Sequence, residues 1–331
     1  MSSFKTSHRA WVFGLAVFIS GCVSQQPSQE ILRSDTPASQ IIGDNPSLDF
    51  GAGSSFLVSL KPYLGQGVQR LQPSKDLFLR SAGRALVLKD SNGLVHKAKN
   101  ITISWQRVSL ENEKKLRRQV AGPFASFESA SRLALLLQRQ GILAKVAHPH
   151  EWEVWVAEGV PLPKGMNFVA VEDTSVFQIK PVLKGDSGGH LLSGPLTIQA
   201  PDGMYWQKGI YLGPFWLKPD AYGTWTLGEQ VPIERYLHGV VPYEIGANAP
   251  DAALASQAVL ARTWALANAH RFAIDGYHLC SDTQCQVYKN PTKASKRVKN
   301  AIAISAGKYL AWNNEPIHAV YHASNGGIMA S

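Results

Sequence analysis

One carboxylate stands out by its neighbours. Glu244 closes the run YLHGVVPYE that begins at Tyr236, and its approach is mostly apolar. An alanine-rich stretch follows from Pro250 and carries Gln257, Arg262 and Thr263. Farther on, Cys280 and Cys285 bracket a short loop, with Gln286 and Tyr288 just after it. A carboxylate in apolar surroundings, with amide, guanidinium and hydroxyl groups at hand, suits proton transfer on a polar polymer.

These groups need elements to hold them. Pro232 suits a first helical turn, and Ile233–Val241 is apolar with helical period. A second helix is expected from Pro250 to about Phe272, with Ala258, Ala261 and Ala265 giving it a small-residue face. A third helix is expected over Lys293–Ser305, and strands over Gly307–Trp312 and Ile317–Tyr321. Upstream, Phe56–Leu60, Leu77–Arg80, Ala85–Lys89 and Ile101–Trp105 read as strands, with Asn92-Gly93 as a hairpin turn. Ser126 reads as the N-cap of a helix in which Phe127, Ala130, Ala134 and Leu137 share a face and which Gly141 stops. Leu143–Ala147 and Glu153–Ala157 then read as strands. The class is α+β. A β-rich segment spans 51–108, a small α+β insertion 109–162, and a mixed helix and strand region, holding Glu244, 163–331.

The N-terminus reads as a processing signal. Lys5 and Arg9 precede the apolar run Ala10–Ile19, which is too short to span a membrane as a mature helix. The sequence Ile19-Ser20-Gly21-Cys22 resembles a bacterial lipoprotein cleavage and acylation site. That resemblance implies loss of residues 1–21, lipidation of Cys22, and a flexible Ser-, Gln- and Pro-rich tether over 22–50. The protein is then an exported, membrane-anchored lipoprotein facing the periplasm or cell wall. Two cysteines remain, and in an oxidising compartment a Cys280–Cys285 disulfide is the default. The chain carries a net charge of +9. Its removable segment takes away Lys5 and Arg9 and no acid. An exported protein with this charge need not bind nucleic acid, and none is expected as a partner; the charge suits the lactyl carboxylates of cell-wall glycan or the phosphates of a membrane, or serves solubility alone.

The β-α-β-β order around RRQVAGPFASFESASRLALLLQRQG resembles a SPOR domain, a family that binds septal peptidoglycan stripped of its peptides. A second resemblance rests on four motifs in order. They are YLHGVVPYE ending at Glu244, Gln257-Ala-Val with Ala261-Arg-Thr263, Cys285-Gln-Val-Tyr288, and Ser324-Asn-Gly-Gly327. Together they resemble the stage II sporulation protein D family, also called amidase-enhancer domains. The family implies a peptidoglycan lytic transglycosylase that cuts between N-acetylmuramic acid and N-acetylglucosamine and leaves a 1,6-anhydro end. Glu244 matches its catalytic glutamate. Gln257, Arg262, Thr263, Gln286, Tyr288, Tyr321, Ser324, Gly326 and Gly327 are the candidate substrate-binding residues, supplying amides, hydroxyls, rings and a Gly-Gly turn. Arg262 has an alternative use, an ion pair between two helices. No cofactor is implied. A zinc site at His278, Cys280 and Cys285 is the alternative to the disulfide, but it is one ligand short of a tetrahedral set.

The sequence departs from the family after Glu244, where Ile245-Gly246 replaces the usual Met-Pro. It also stops at Ser331, just past the last motif, so the catalytic region is expected to be cut short. The rival to an enzyme is a non-catalytic glycan-binding module that activates a cell-wall amidase.

Overall fold

The structure is a computed structural model that describes residues 54–70, 73–186 and 188–322. The readings placed on the signal segment, Cys22, the tether, Ser324, Gly326, Gly327 and the chain end fall outside those residues.

The chain begins with β1 (Ser55–Leu64), a helical turn α1 (Gln66–Gln69), β2 (Leu77–Ser81), β3 (Leu86–Lys89), β4 (Val95–Ala98) and the long β5 (Asn100–Phe124). Then come α2 (Phe127–Gln138), β6 (Ala144–Ala147) and β7 (Trp152–Ala157). A second run of strands follows: β8 (Val169–Gly185), β9 (Gly188–Leu191), β10 (Leu196–Gln199), β11 (Met204–Trp206), β12 (Gly209–Tyr211), β13 (Phe215–Pro219) and β14 (Trp225–Pro232). The last part holds α3 (Ile233–His238), α4 (Val241–Glu244), α5 (Asp251–Ala267), α6 (Lys296–Ile304) and the short pair β15 (Ala311–Trp312) and β16 (Glu315–Pro316). The class is α+β, as the sequence indicates.

The strands form two main antiparallel sheets. One has the order β1-β14-β13-β10-β3-β4; the other runs β12-β11-β2-β5-β7-β6, with β8 on the far edge of β5 and β9 beyond it. Alternation drives both. Phe56, Val58 and Leu60 of β1 and Leu77 and Leu79 of β2 point inward and are buried, as period-2 patterning requires. One apolar core continues from these strands into Tyr236, Leu237, Val240 and Val241 and the alanine face of α5. The helices on either side of Glu244 are therefore seated on the sheet.

A second core lies under α2. Ser126 caps that helix by accepting from the Ser129 N–H, and Phe127, Ala130, Ala134 and Leu137 are buried against β6 and β7. The same core takes in Phe272, Tyr277 and Cys280 from the chain beyond α5.

Several element boundaries differ from expectation; the first helix ends at His238, and Val241–Glu244 forms a separate turn. Helix α5 ends at Ala267 because the Asn268 side chain donates to the Trp264 carbonyl at 2.8 Å, taking an acceptor at the helix end and favouring termination. The chain then turns, and His270 and Phe272 enter the second core. Helix α6 begins at Lys296, capped by Ser295, while Pro291–Lys293 is a 3₁₀ turn. The strands expected after it reduce to the two-residue pair β15–β16, closed by Asn313 and Asn314, both at positive φ. Among the described residues no helix is long and apolar enough to cross a membrane.

Candidate functional site

Glu244 is the last residue of α4, a single turn with Pro242 near its start. Val240 and Val241 beneath it are fully buried. Gly246, at φ 84°, turns the chain away immediately after. The side chain is half-buried, and its Oε1 accepts the Val287 N–H at 3.2 Å. That contact joins α4 to the loop after the cysteines.

A chain of hydrogen bonds with fixed polarity runs behind the carboxylate. The Tyr236 hydroxyl donates to Gln286 Oε1 at 3.0 Å. Gln286 Nε2 donates to the Ala261 carbonyl at 3.2 Å and to the Tyr321 hydroxyl oxygen at 2.8 Å. A backbone carbonyl can only accept, so the amide orientation is settled. Tyr321 therefore receives a hydrogen bond and has its own proton to give elsewhere. Burial, then the nearby Glu244 charge, push its hydroxyl well above the usual phenol value. Tyr236 is likewise raised, by burial first and then by Tyr321 and Glu244. Both phenols stay protonated. Gln257 on α5 is buried, and its Nε2 lies beside the Tyr321 hydroxyl without completing a well-formed hydrogen bond among the described residues. Glu244, Gln257, Gln286 and Tyr321 thus lie together. The first is a half-exposed carboxylate, Gln257 and Tyr321 each carry a donor, and Gln286, with both amide protons used, holds Tyr321 in place.

The remaining expected residues are placed differently. Arg262 is 2% exposed and forms a two-pronged pair with Glu234, Nε to Oε1 at 2.9 Å and Nη2 to Oε2 at 2.7 Å. Its Nη1 donates to the Lys308 carbonyl at 2.7 Å. Of its two alternatives, this is the ion pair between helices, here α5 and α3. Thr263 is fully buried; it donates to the Val259 carbonyl at 2.6 Å and accepts the Leu310 N–H at 2.9 Å, tying the strand pair to α5. Tyr288 is also buried, its ring stacked on Tyr236 with centroids 5.1 Å apart. Its hydroxyl donates to Glu229 Oε2 at 2.8 Å.

Cys280 and Cys285 form a disulfide, with Cα atoms 5.6 Å apart. Both thiols are thereby used, and no group of three metal-binding side chains gathers among the described residues. His278 serves the fold instead. Its Nδ1 accepts the Leu57 N–H at 2.8 Å and fastens the loop to β1.

Glu229 was missed at the sequence level. It is 0% exposed and accepts from Gly213 N–H at 2.9 Å as well as from Tyr288, with Arg235 3.5 Å away. Burial raises its carboxyl, against the Tyr288 hydrogen bond. Its signal was present: Trp225, Leu227, Glu229 and Val231 alternate inward along β14, so a carboxylate occupies a core position. A cleft of about 950 Å³ lined by Tyr63, Trp155, Tyr222 and Trp225 includes none of the Glu244 group.

With this geometry established, comparisons locate the chain among known proteins. The profile of the stage II sporulation protein family matches residues 221–312. Stage II sporulation protein D of Bacillus subtilis is 34% identical over 115 residues, covering 30% of this chain and 33% of that protein. The Bacillus amyloliquefaciens protein of the same name is 33% identical over 115 residues, with the same coverage. An uncharacterised protein of Brachyspira hyodysenteriae is 31% identical over 136 residues, 40% of this chain and 36% of that one. The region containing Glu244 and the helices around it is thus similar to the stage II sporulation protein family. The chain spans about a third of the length of the curated relatives it matches.

Proposed function

We propose that this protein is a peptidoglycan lytic transglycosylase acting on peptide-denuded glycan strands, with Glu244 as general acid and base. One observation carries the reading: a lone, half-exposed carboxylate held by a backbone N–H, beside a phenol whose only proton is turned away from its own amide partner. Ordinary glycosidases need a second carboxylate as nucleophile or as base for water. Here the nucleophile belongs to the substrate. Glu244 gives its proton to the glycosidic oxygen, and the bond from that oxygen to the muramyl C1 breaks. The muramyl 6-hydroxyl oxygen bonds to C1 and returns its proton to Glu244. No water is consumed, and the intramolecular nucleophile is effectively concentrated. Tyr321 and Gln257 donate to substrate oxygens, and Gln286 positions Tyr321.

The same reading takes the chain as an exported lipoprotein anchored through Cys22, with 22–50 as tether and 109–162 as a SPOR-like glycan reader. A cell-wall amidase is its proposed partner.

The test is to incubate the purified protein with denuded glycan strands and detect 1,6-anhydromuramyl ends. Glu244→Gln should lower their release by at least roughly 10²–10⁴-fold while leaving strand binding close to that of the parent. Unchanged release by that variant would sink the mechanism. Binding without any cleavage by the parent would favour the amidase-activating module.

A further inference from the structure

The stretch Thr283–Asn314 holds no aspartate or glutamate and six cations, Lys289, Lys293, Lys296, Arg297, Lys299 and Lys308. Arg297 pairs with Asp251. Lys289, Lys293, Lys296 and Lys299 are exposed, and none is within ion-pair distance of a carboxylate among the described residues. Their placement is not scattered. Val298, Ala301 and Ile302 of α6 face the core, and Lys296 and Lys299 neighbour each other at one-turn spacing on its surface. Lys289 follows Val287, whose N–H holds Glu244, by two residues, and its own N–H donates to the Gly239 carbonyl at 2.9 Å. Lys299 reaches the end of α3: after burial, it is the next cause lowering His238. The positive face therefore begins at the Glu244 loop and continues over α6.

We propose that this lysine face binds the free carboxylates of a glycan strand whose scissile bond lies at Glu244. The inference rests on the glycan-cleaving reading above and adds how the strand is chosen. A strand stripped of its peptides presents separate single carboxylates at regular intervals. Separate ammonium groups on flexible stems suit such a ligand, and such contacts weaken as salt rises. A strand still bearing peptides offers no free lactyl carboxylate to these lysines.

The experiment uses the full chain carrying Glu244→Gln, so that strands stay intact, in a pelleting assay. Probes are insoluble denuded glycan, the same glycan with its carboxylates converted to methylamides, and phosphatidylglycerol vesicles. Lys289→Gln/Lys293→Gln/Lys296→Gln/Lys299→Gln is compared with a charge-matched control, Lys61→Gln/Lys75→Gln/Lys97→Gln/Lys99→Gln. Melting curves check that both fold. The expected result is a loss on the order of tenfold or more for the first set on free-carboxylate strands and none for the control. Methylamidation should produce the same loss in the parent, and the first set should lose nothing further on amidated strands. Equal binding of the first set and its parent to free-carboxylate strands overturns the proposal. So does a loss confined to the vesicles, which would make the face a membrane contact. Lysine-dependent binding by an otherwise wild-type chain that cleaves no strand would sink the transglycosylase reading and keep this one. Equal kcat/KM on free and amidated strands, unchanged by the four substitutions, would do the reverse.

Discussion

At the scale of residues, the proposed mechanism divides the site into groups that would face the glycan and groups that hold them. Tyr321 belongs to the first. Its oxygen accepts from Gln286, so replacing it with phenylalanine removes one donor, leaves one Gln286 N–H without its acceptor, and changes little packing. Tyr321→Phe should lower kcat by about tenfold or more with KM nearly unchanged, as for a hydrogen bond used chiefly in the transition state. A KM rise at constant kcat would assign it to ground-state binding instead. Arg262 belongs to the second group. Arg262→Leu leaves Glu234 without its cation, with the Gly307 N–H still donating to Oε1 at 3.2 Å. Because Glu234 is 33% exposed, the cost should fall below the ~3–5 kcal/mol of a fully buried pair, to roughly 2 kcal/mol. Thermal unfolding should shift down by several degrees, whereas a residue used only for substrate would leave the melting temperature in place.

At the scale of elements, the site depends on how closely the loop Gln286–Lys289 approaches α3. Gly239 makes this possible. A Cβ there would stand 2.6 Å from the Tyr288 ring and 3.1 Å from the Lys289 carbonyl. Both belong to the loop whose Val287 N–H holds Glu244. Gly239→Ala should displace that loop, lowering activity more than stability; paired kcat and melting measurements check this, and unchanged kcat would count against it. The disulfide acts on the same loop from its other end. Serine at both Cys280 and Cys285 opens a ring of few residues, so the stability loss should lie at the low end of the typical 2–4 kcal/mol, with activity falling further. Much of this was legible. Glu244, Gln257, Gln286 and the cysteine pair could be read from residue types and order, and Ser126 and the helix after it from capping and period. What could not be read has physical causes. Residues 109–117 of β5 show no apolar alternation because they are largely solvent-facing. That stretch is instead held by β8, with Arg117 paired to Glu172 and Arg118 to Asp173 across the strands. The expected edge at residue 108 thus lies inside a strand. The early end of α5 depends on where Asn268 sits, and the uses of Arg262, Thr263 and Tyr288 depend on partners far away in sequence.

At the scale of the whole molecule, the chain beyond α5 fastens the α2 unit to the rest. Arg271 pairs with Glu128 at the start of α2 and lies over the Phe127 ring at 4.6 Å. The Phe127 ring meets His270 edge-on, and Trp152 meets Phe272 at 5.5 Å. Next to them the Tyr222 hydroxyl donates to Asp275 Oδ2 at 3.0 Å and accepts the His148 N–H at 2.7 Å. Two buried titratable groups in this joint oppose each other. Burial pushes the Asp275 carboxyl up to about 7, with Asp220 adding to it and the Ala221 N–H, Tyr222 and Lys218 working against it. A raised acid favours the folded state while protonated, so its contribution is complete below about pH 4 and is lost as pH rises toward 7. Burial, then Arg271 and His318, lower His270 to about 4. A lowered base favours the folded state while neutral, so its contribution is complete above about pH 6.5 and is lost as pH falls toward 4. In the parent the two slopes partly cancel. Asp275→Asn removes one slope and keeps a neutral group of the same shape. The variant should gain melting temperature relative to the parent from pH 5 to about pH 7 and hold that gain at pH 8, and its own stability should rise with pH between 4 and 6.5. The shared core further requires one calorimetric transition in both proteins at every pH. A parallel pair of melting curves across that range would show that Asp275 is not the group that sets the slope, and a separate early transition would show that the joint does not couple α2 to the rest.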